Sequence, residues 1–233
     1  DLYDRDAMIA PVAPANDLED VPEIIRNYKR NRTSYGVTPE LHKGLLEAYY
    51  ASISYMDAQV GRVLDALDKG PHGGDTVVVL FSDHGYHLGE KDRVSKHSLW
   101  EESARVPLVV VPAKSQGRQF GKAGQLCSKP VGLIDLYPTM LEMCGLPAKK
   151  SNQGDSLVPL LRNPSADWRF ATLTTYARGN HSLRSERYRY LRFEDGSEEL
   201  YDHADDPNEW VNLAARPKHA KLLERFRKEL PTK

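Results

Sequence analysis

The 233 residues are enough to enclose a hydrophobic core in one or two domains, and 40% hydrophobic with 28% charged content is ordinary for a globular chain. A formal net charge of -1 removes the electrostatic case for a nucleic acid or an anionic membrane as partner. No stretch approaches the roughly 18 apolar residues of a membrane-spanning helix, and Cys127 and Cys144 are too few for a disulfide framework and fit no zinc spacing.

No signal peptide is visible, but the chain opens on Asp1 without an initiator Met, so this says nothing about export. Residues 1–35 are rich in Pro, Asn, Asp and Arg and show no sustained period. They are expected to be irregular and to wrap another part of the fold. A long helix is expected next, with Thr38 as N-cap, Pro39 at the first helical position and Gly70 at the far end. Leu41, Leu45, Tyr49, Ile53, Met56, Val60, Leu64 and Leu67 recur every three or four residues and form one apolar stripe along it.

Residues 76–81 and 106–111 are continuous β-branched runs without alternation, the pattern of parallel strands covered on both faces. Residues 135–144 read as a helix capped by Asp135 and stopped by Gly145. This order predicts an α/β layout built on a parallel sheet. Beyond Leu161 the pattern changes to short strands at 171–176, 181–185, 188–193 and 199–201. Gly179-Asn180, Glu186-Arg187 and Asp195-Gly196 separate them as turns. A final amphipathic helix over 217–230 carries Leu222, Leu223, Phe226 and Leu230. We expect a boundary near Asn163-Pro164, dividing the chain into an α/β part, 1–162, and an antiparallel-sheet-plus-helix subdomain, 163–233.

Asp83 and His84 fall just past the most hydrophobic strand, where α/β sheets gather functional groups. A carboxylate beside an imidazole, followed by a Gly that lets the backbone turn, suits a metal-ligand pair. Taken alone, Asp83-His84-Gly85 is better explained by an Asp capping a turn with a His packed beside it. The neighbouring residues shift that balance. Ser82-Asp83-His84-Gly85-Tyr86-His87-Leu88-Gly89-Glu90 is followed by Lys96 and then by Glu101-Glu102-Ser103-Ala104-Arg105-Val106-Pro107-Leu108. This resembles the sulfatases of the alkaline-phosphatase-like superfamily, and among them the iduronate 2-sulfatase-like branch. Residues 49–60, Ile134-Asp135-Leu136-Tyr137-Pro138-Thr139, and the run from Leu200-Tyr201-Asp202 through Asp206-Pro207-Asn208-Glu209 to Asn212-Leu213-Ala214 match the same family in order.

The resemblance implies that Asp83 and His84 help to hold a divalent cation, Ca²⁺ in most members. Lys96 would reach the substrate sulfate, and Tyr86 would form a wall of the pocket. Considered singly, Lys96 would be a solvated surface lysine. His87 and His97 flank the loop and are candidates to meet a sugar hydroxyl or carboxylate, although a hydrogen-bonded structural role is commoner for loop histidines. Glu102 and Arg105 are expected to form a structural ion pair. The resemblance also implies a formylglycine nucleophile, formed from Cys or Ser in a Cys/Ser-x-Pro-x-Arg motif. Cys127-Ser128-Lys129-Pro130 and Cys144-Gly145-Leu146-Pro147 both place Pro one position too late and lack the Arg.

The chain is therefore expected to be the C-terminal portion of a sulfatase, inactive by itself, whose missing N-terminal half carries the nucleophile and the remaining carboxylates. The implied substrate is a sulfated small molecule or glycan, and the implied location is periplasmic, secreted or lysosomal. Asn31-Arg32-Thr33 and Asn180-His181-Ser182 are glycosylation sequons if the protein enters a eukaryotic secretory pathway. Two other readings stay open: a phosphonate or phosphate monoester hydrolase of the same superfamily, and a non-catalytic domain on a sulfatase-like scaffold.

Overall fold

The computed structural model describes residues 2–26 and 37–231. Its first helix, α1 (Glu23–Arg26), is a single turn. The second, α2, spans Pro39–Lys69, 31 residues. It starts where the sequence places it: Thr38 Oγ1 accepts the Leu41 amide at 3.2 Å and Pro39 occupies the first turn. Gly70 closes it by donating to the Leu67 carbonyl at 3.0 Å. The apolar stripe is present but open. Leu46 is the one buried residue of α2, whereas Leu41, Leu45, Ile53, Met56 and Leu64 are exposed.

Strands β1 (Val78–Phe81) and β2 (Leu108–Val111) follow, separated by the short helix α3 (Glu101–Ala104). The α/β class holds, but these two strands are antiparallel neighbours, with Val78 opposite Val111 and Phe81 opposite Leu108. An unalternating apolar run reports two apolar faces and carries no information about strand direction. Direction is set by the connection, and residues 82–107 return as a loop with one turn of helix instead of crossing over the sheet. Leu80, Phe81, Val109 and Val111 are exposed, so the two-sided cover expected for these runs is absent among the described residues.

Helices α4 (Leu136–Met143) and α5 (Val158–Arg162) pack Met143 and Val158 with Phe120 beneath β2. Gly145, at φ 67°, terminates α4 as expected. Asp135, however, does not cap the helix. Fully buried, its carboxylate accepts the amides of Gly132 (2.8 Å) and Asp155 (3.0 Å) and pairs with Arg169 at 2.7 Å. It therefore ties the start of α4 to the segment before α5.

The remaining strands, β3 (Thr172–Thr175), β4 (His181–Arg184), β5 (Tyr188–Arg192) and β6 (Glu198–Asp202), form one antiparallel meander in chain order. Its turns fall at the expected dipeptides, and Asp195 fixes the last of them by accepting the Ser197 amide at 2.8 Å. Alternation sends side chains to two faces. On one, Leu183, Tyr190 and Leu200 meet Leu223 and Phe226 of the last helix, α6 (Ala220–Lys228), with Phe226 stacked on Tyr190 at 5.3 Å. On the other, Leu191, Phe193 and Tyr201 meet Leu99, Trp100 and Val21. The meander is thus covered on one side by α6 and on the other by the loop after β1 and the segment around Val21. That segment wraps as its composition suggested; residues 27–35 of the expected irregular stretch, Asn31 among them, lie outside the described residues. Asn180 uses its side-chain oxygen to accept the Glu194 amide at 2.9 Å. Both cysteines are free and exposed. None of the described helices is long and apolar enough to cross a membrane.

Candidate functional site

Strand β1 ends at Phe81, and the chain turns at once. Ser82 Oγ donates to the His84 carbonyl at 2.7 Å, and the Asp83 carboxylate accepts the His84 amide at 3.1 Å. The His84 ring is oriented by its Nδ1–H, which donates to the Gly85 carbonyl at 2.8 Å. A carbonyl cannot donate, so the proton of a neutral ring sits on Nδ1 and Nε2 is the nitrogen a metal ion would meet. That nitrogen lies 3.6 Å from Asp83 Oδ2, on a carboxylate whose side chain is 83% exposed and pairs with no Lys or Arg among the described residues. One carboxylate oxygen and one imidazole nitrogen, adjacent and with no closer partner than each other among the described residues, are donors of the type a divalent cation takes. The Asp83 carboxylate also bonds the turn backbone, as the plainer reading expects, through Oδ1, which leaves Oδ2 on its exposed side.

Gly85 is required by packing. A Cβ there would stand 2.0 Å from the Glu102 carbonyl oxygen, and the Gly85 amide donates to Ser103 at 2.8 Å. The turn carrying Asp83 and His84 is therefore pressed against α3. Tyr86 stacks on Tyr49 of α2 at 5.9 Å and donates to the Val94 carbonyl at 3.4 Å, which joins the turn to the long helix. The loop then doubles back: Gly89 donates to Arg93 and His87 to Ser95, each at 2.8 Å. This return brings Lys96 to an exposed position, where its ammonium has no partner among the described residues. His97 follows, exposed and stacked on Tyr176 at 5.6 Å.

His87, a candidate for substrate contact, takes the hydrogen-bonded structural role instead. It is fully buried, bonded through Nε2 to Ser98 Oγ at 2.7 Å and set edge-on to Trp100. Burial, with the nearby Arg93 charge, pushes its pKa from 6.5 down to about 3. The folded protein thus resists a proton that the unfolded chain accepts below pH 6.5. Stability from this residue is complete above that pH and is lost as pH falls toward 3, by up to about 1.4 kcal/mol per pH unit. His87→Gln keeps a partner for Ser98 and cannot titrate. Denaturant unfolding from pH 7 to pH 5 is expected to show a smaller loss in this variant than in the parent, and equal losses would remove the assignment.

The expected Glu102–Arg105 pair is also corrected: Arg105 pairs with Glu101, at 3.8 Å. Glu101 belongs to a buried network that local sequence does not announce. Arg189 joins Glu101 to Glu209, the latter at 2.6 Å from Nε; His203 bonds Glu209 at 2.8 Å, and Arg184 reaches Glu101 at 3.3 Å. Burial alone would raise the Glu209 carboxyl, but Arg189 and His203 outweigh it and hold the pKa below the ordinary value. Glu101, His203 and Glu209 lie close enough to share an ion. Two guanidinium groups already neutralise those two carboxylates, so a further cation there would find no net negative charge to hold it. Lys91, at φ 55°, is buried as well. It donates to Asp17 Oδ1 at 2.6 Å and to the Glu209 carbonyl, with the Trp100 and Tyr201 rings beside it.

The arrangement is an α/β edge presenting a carboxylate–imidazole pair, with an unpaired lysine on the loop that follows. The family model described as "Sulfatase" matches residues 20–146, and the one described as "N-sulphoglucosamine sulphohydrolase, C-terminal" matches residues 89–233. The fold is that of the alkaline-phosphatase-like superfamily. A solved 2-O GAG sulfatase superimposes on 96% of the chain and 51% of its own length, at a TM-score of 0.78 and 25% identity. The same fold, at a TM-score of 0.81 and 24% identity, occurs in a phosphonate monoester hydrolase from Silicibacter pomeroyi, over 98% of this chain and 50% of that one. A "Sulfatase" from Formosa agariphila is 37% identical over 99% of this chain and 45% of its own length. The chain belongs to the sulfatase family. It spans about half the length of the relatives it matches.

Proposed function

We propose that this chain supplies the metal-binding strand end and the sulfate-contacting lysine of an enzyme that hydrolyses sulfate esters of glycans. The observation that carries the reading is the Asp83–His84 pair at the end of β1, 3.6 Å apart, with Lys96 unpartnered on the same loop. A hard cation bound there would polarise sulfate oxygens. Two donors do not complete the six to eight ligands of Ca²⁺. The remaining carboxylates, and a formylglycine supplying the nucleophile, are assigned to the half of the relatives' length that this chain does not span. The open apolar faces of α2, β1 and β2 are read as the seat of that half, because burying them would cover Leu41, Leu45, Ile53, Met56, Leu64, Leu80, Phe81, Val109 and Val111, which are exposed here. A glycan substrate is suggested by the solved relative that is a 2-O GAG sulfatase. An exported compartment (periplasm, cell exterior or lysosome) belongs to the same reading.

The chain's own residues would divide the work. Asp83 contributes the negative charge at the ion, and His84, aimed by Gly85, contributes a neutral ligand. Lys96 meets the sulfate from the returning arm of the loop. In the full-length protein, Asp83→Ala is expected to lower metal content and turnover sharply, and His84→Ala less so. Unchanged metal content in both variants, by elemental analysis, would overturn the site. Sulfate release from sulfated oligosaccharides tests the activity. Faster cleavage of a phosphonate monoester would favour the neighbouring hydrolase class, and metal-free protein without turnover would favour a binding domain. The 233-residue chain alone is expected to be inactive.

A further inference from the structure

Arg93 sits in the returning arm of the loop, three residues before Lys96, and is only 4% exposed. Its guanidinium lies over the Trp100 ring at 4.7 Å, yet Nε and Nη1 have no hydrogen-bond acceptor and no described carboxylate forms an ion pair with it. This is costly, since a buried cation is normally matched by an anion. The buried acid in its field, Glu199, is a poor match. It bonds Trp100 Nε1 at 2.8 Å and the Tyr201 hydroxyl at 3.0 Å through Oε2 alone; its Oε1 has no hydrogen-bond partner among the described residues and forms no ion pair with Arg93, and burial raises its pKa to about 7. By contrast, every other buried basic side chain discussed above (Lys91, Arg189) has its carboxylate in contact.

Arg93 lines a cavity, with its Nε and Nη1 enclosed behind the lining. Arg93, His97, Ser98 and Asn180 provide its polar lining, and Trp100, Tyr176 and Phe193 are among its aromatic walls. Aromatic faces suit the apolar face of a sugar ring, and an unpaired guanidinium suits an oxyanion. Glu194 also lines the cavity, but its side chain is solvent-exposed, so its charge is screened while that of Arg93 is not. The cavity shares the loop of Lys96 and is bounded by His97, the residue after it.

We infer that the Arg93 cavity is a subsite for an oxyanion carried on a sugar ring, a uronate carboxylate or a second sulfate, with Arg93 as its counter-charge. This rests on the glycan reading of the proposed function and deepens it. In that reading Lys96 meets the ester that is cleaved, and Arg93 meets an anionic group that is retained. The subsite explains why an unpaired cation is kept in the interior, since it is matched when ligand is bound.

The test is titration of the full-length protein, by tryptophan fluorescence, with glucuronate, glucose 6-sulfate and glucose. At least one anionic sugar is expected to bind saturably while glucose does not, and which one binds identifies the anion. Arg93→Met is expected to weaken that binding tenfold or more without lowering Tm, because it removes an uncompensated charge at similar length. A structural arginine would give the reverse, a lower Tm with unchanged binding. Arg93→Lys is expected to recover part of the affinity. Glucuronate carries no ester, so its binding is read whether or not the protein releases sulfate, and a failed activity assay leaves the subsite standing. The inference is overturned if neither anion binds, if glucose binds equally well, if Arg93→Met binds as the parent does, or if that variant melts lower.

Discussion

Lys96→Ala in the full-length protein is expected to lose about a hundredfold or more in kcat while keeping its metal. Removing one preorganised donor to developing negative charge typically costs on the order of 2.7–4 kcal/mol. Lys96 has the features of such a donor: it is exposed, has no partner among the described residues, and stands at the end of a loop doubled back by backbone bonds from Gly89 and His87. Because the charge it offsets shifts as the ester bond breaks, the loss should fall on kcat and not only on KM. Lys96→Arg should recover little, since a planar fork does not replace a compact ammonium. Near-normal kcat in Lys96→Ala would return this lysine to the solvated surface.

The second large effect is on stability. Glu209→Ala leaves Arg189, 2% exposed, with Glu101 as its remaining carboxylate partner, and it also strips the bond from His203. Breaking a buried pair by deleting one partner costs about 3–5 kcal/mol, because the surviving charge stays buried. Glu209→Gln keeps an acceptor for the Glu101 amide, which now donates to Glu209 Oε2 at 2.8 Å, but loses the charge, so an intermediate cost is expected. Denaturant unfolding of the full-length protein measures both. A loss under about 1 kcal/mol for Glu209→Ala would show that the network is not held by this charge.

These two residues also mark what was legible in the sequence. Asp83, His84 and Lys96 lie within one loop, in a motif short enough to be read directly, and the structure puts the first two side by side at a strand end. Helix α2 was legible because a 3.6-residue period, an N-cap and a closing Gly are local signals. The meander's turns were legible for the same reason. Strand direction in the β1–β2 pair was not, since no residue in either run encodes it. His87 reads like any loop histidine until Ser98 and Trp100 fold over it. The Glu101–Arg189–Glu209 network and the Lys91 contacts join residues about a hundred positions apart, and nothing in the local pattern links them. Glu209 lay inside a matched family signature, yet a signature does not say which charge it neutralises. Nothing in the local sequence marks Arg93, and only its burial without a hydrogen-bond partner among the described residues sets it apart.

Lys91 has a consequence for the order of events during synthesis. Its ammonium is held by Asp17, 74 positions earlier, and by the carbonyl of Glu209, 118 positions later. The loop that presents Lys96 therefore cannot reach its final shape while the ribosome is still short of residue 209, however early β1 is made. Contacts of such span close slowly, because the intervening chain must be ordered first. The nascent loop must wait, with Trp100 and Leu99 uncovered, for the meander to arrive beneath it. For that interval the segment is a target for chaperones, and shortening the chain before β6 would prolong the wait indefinitely.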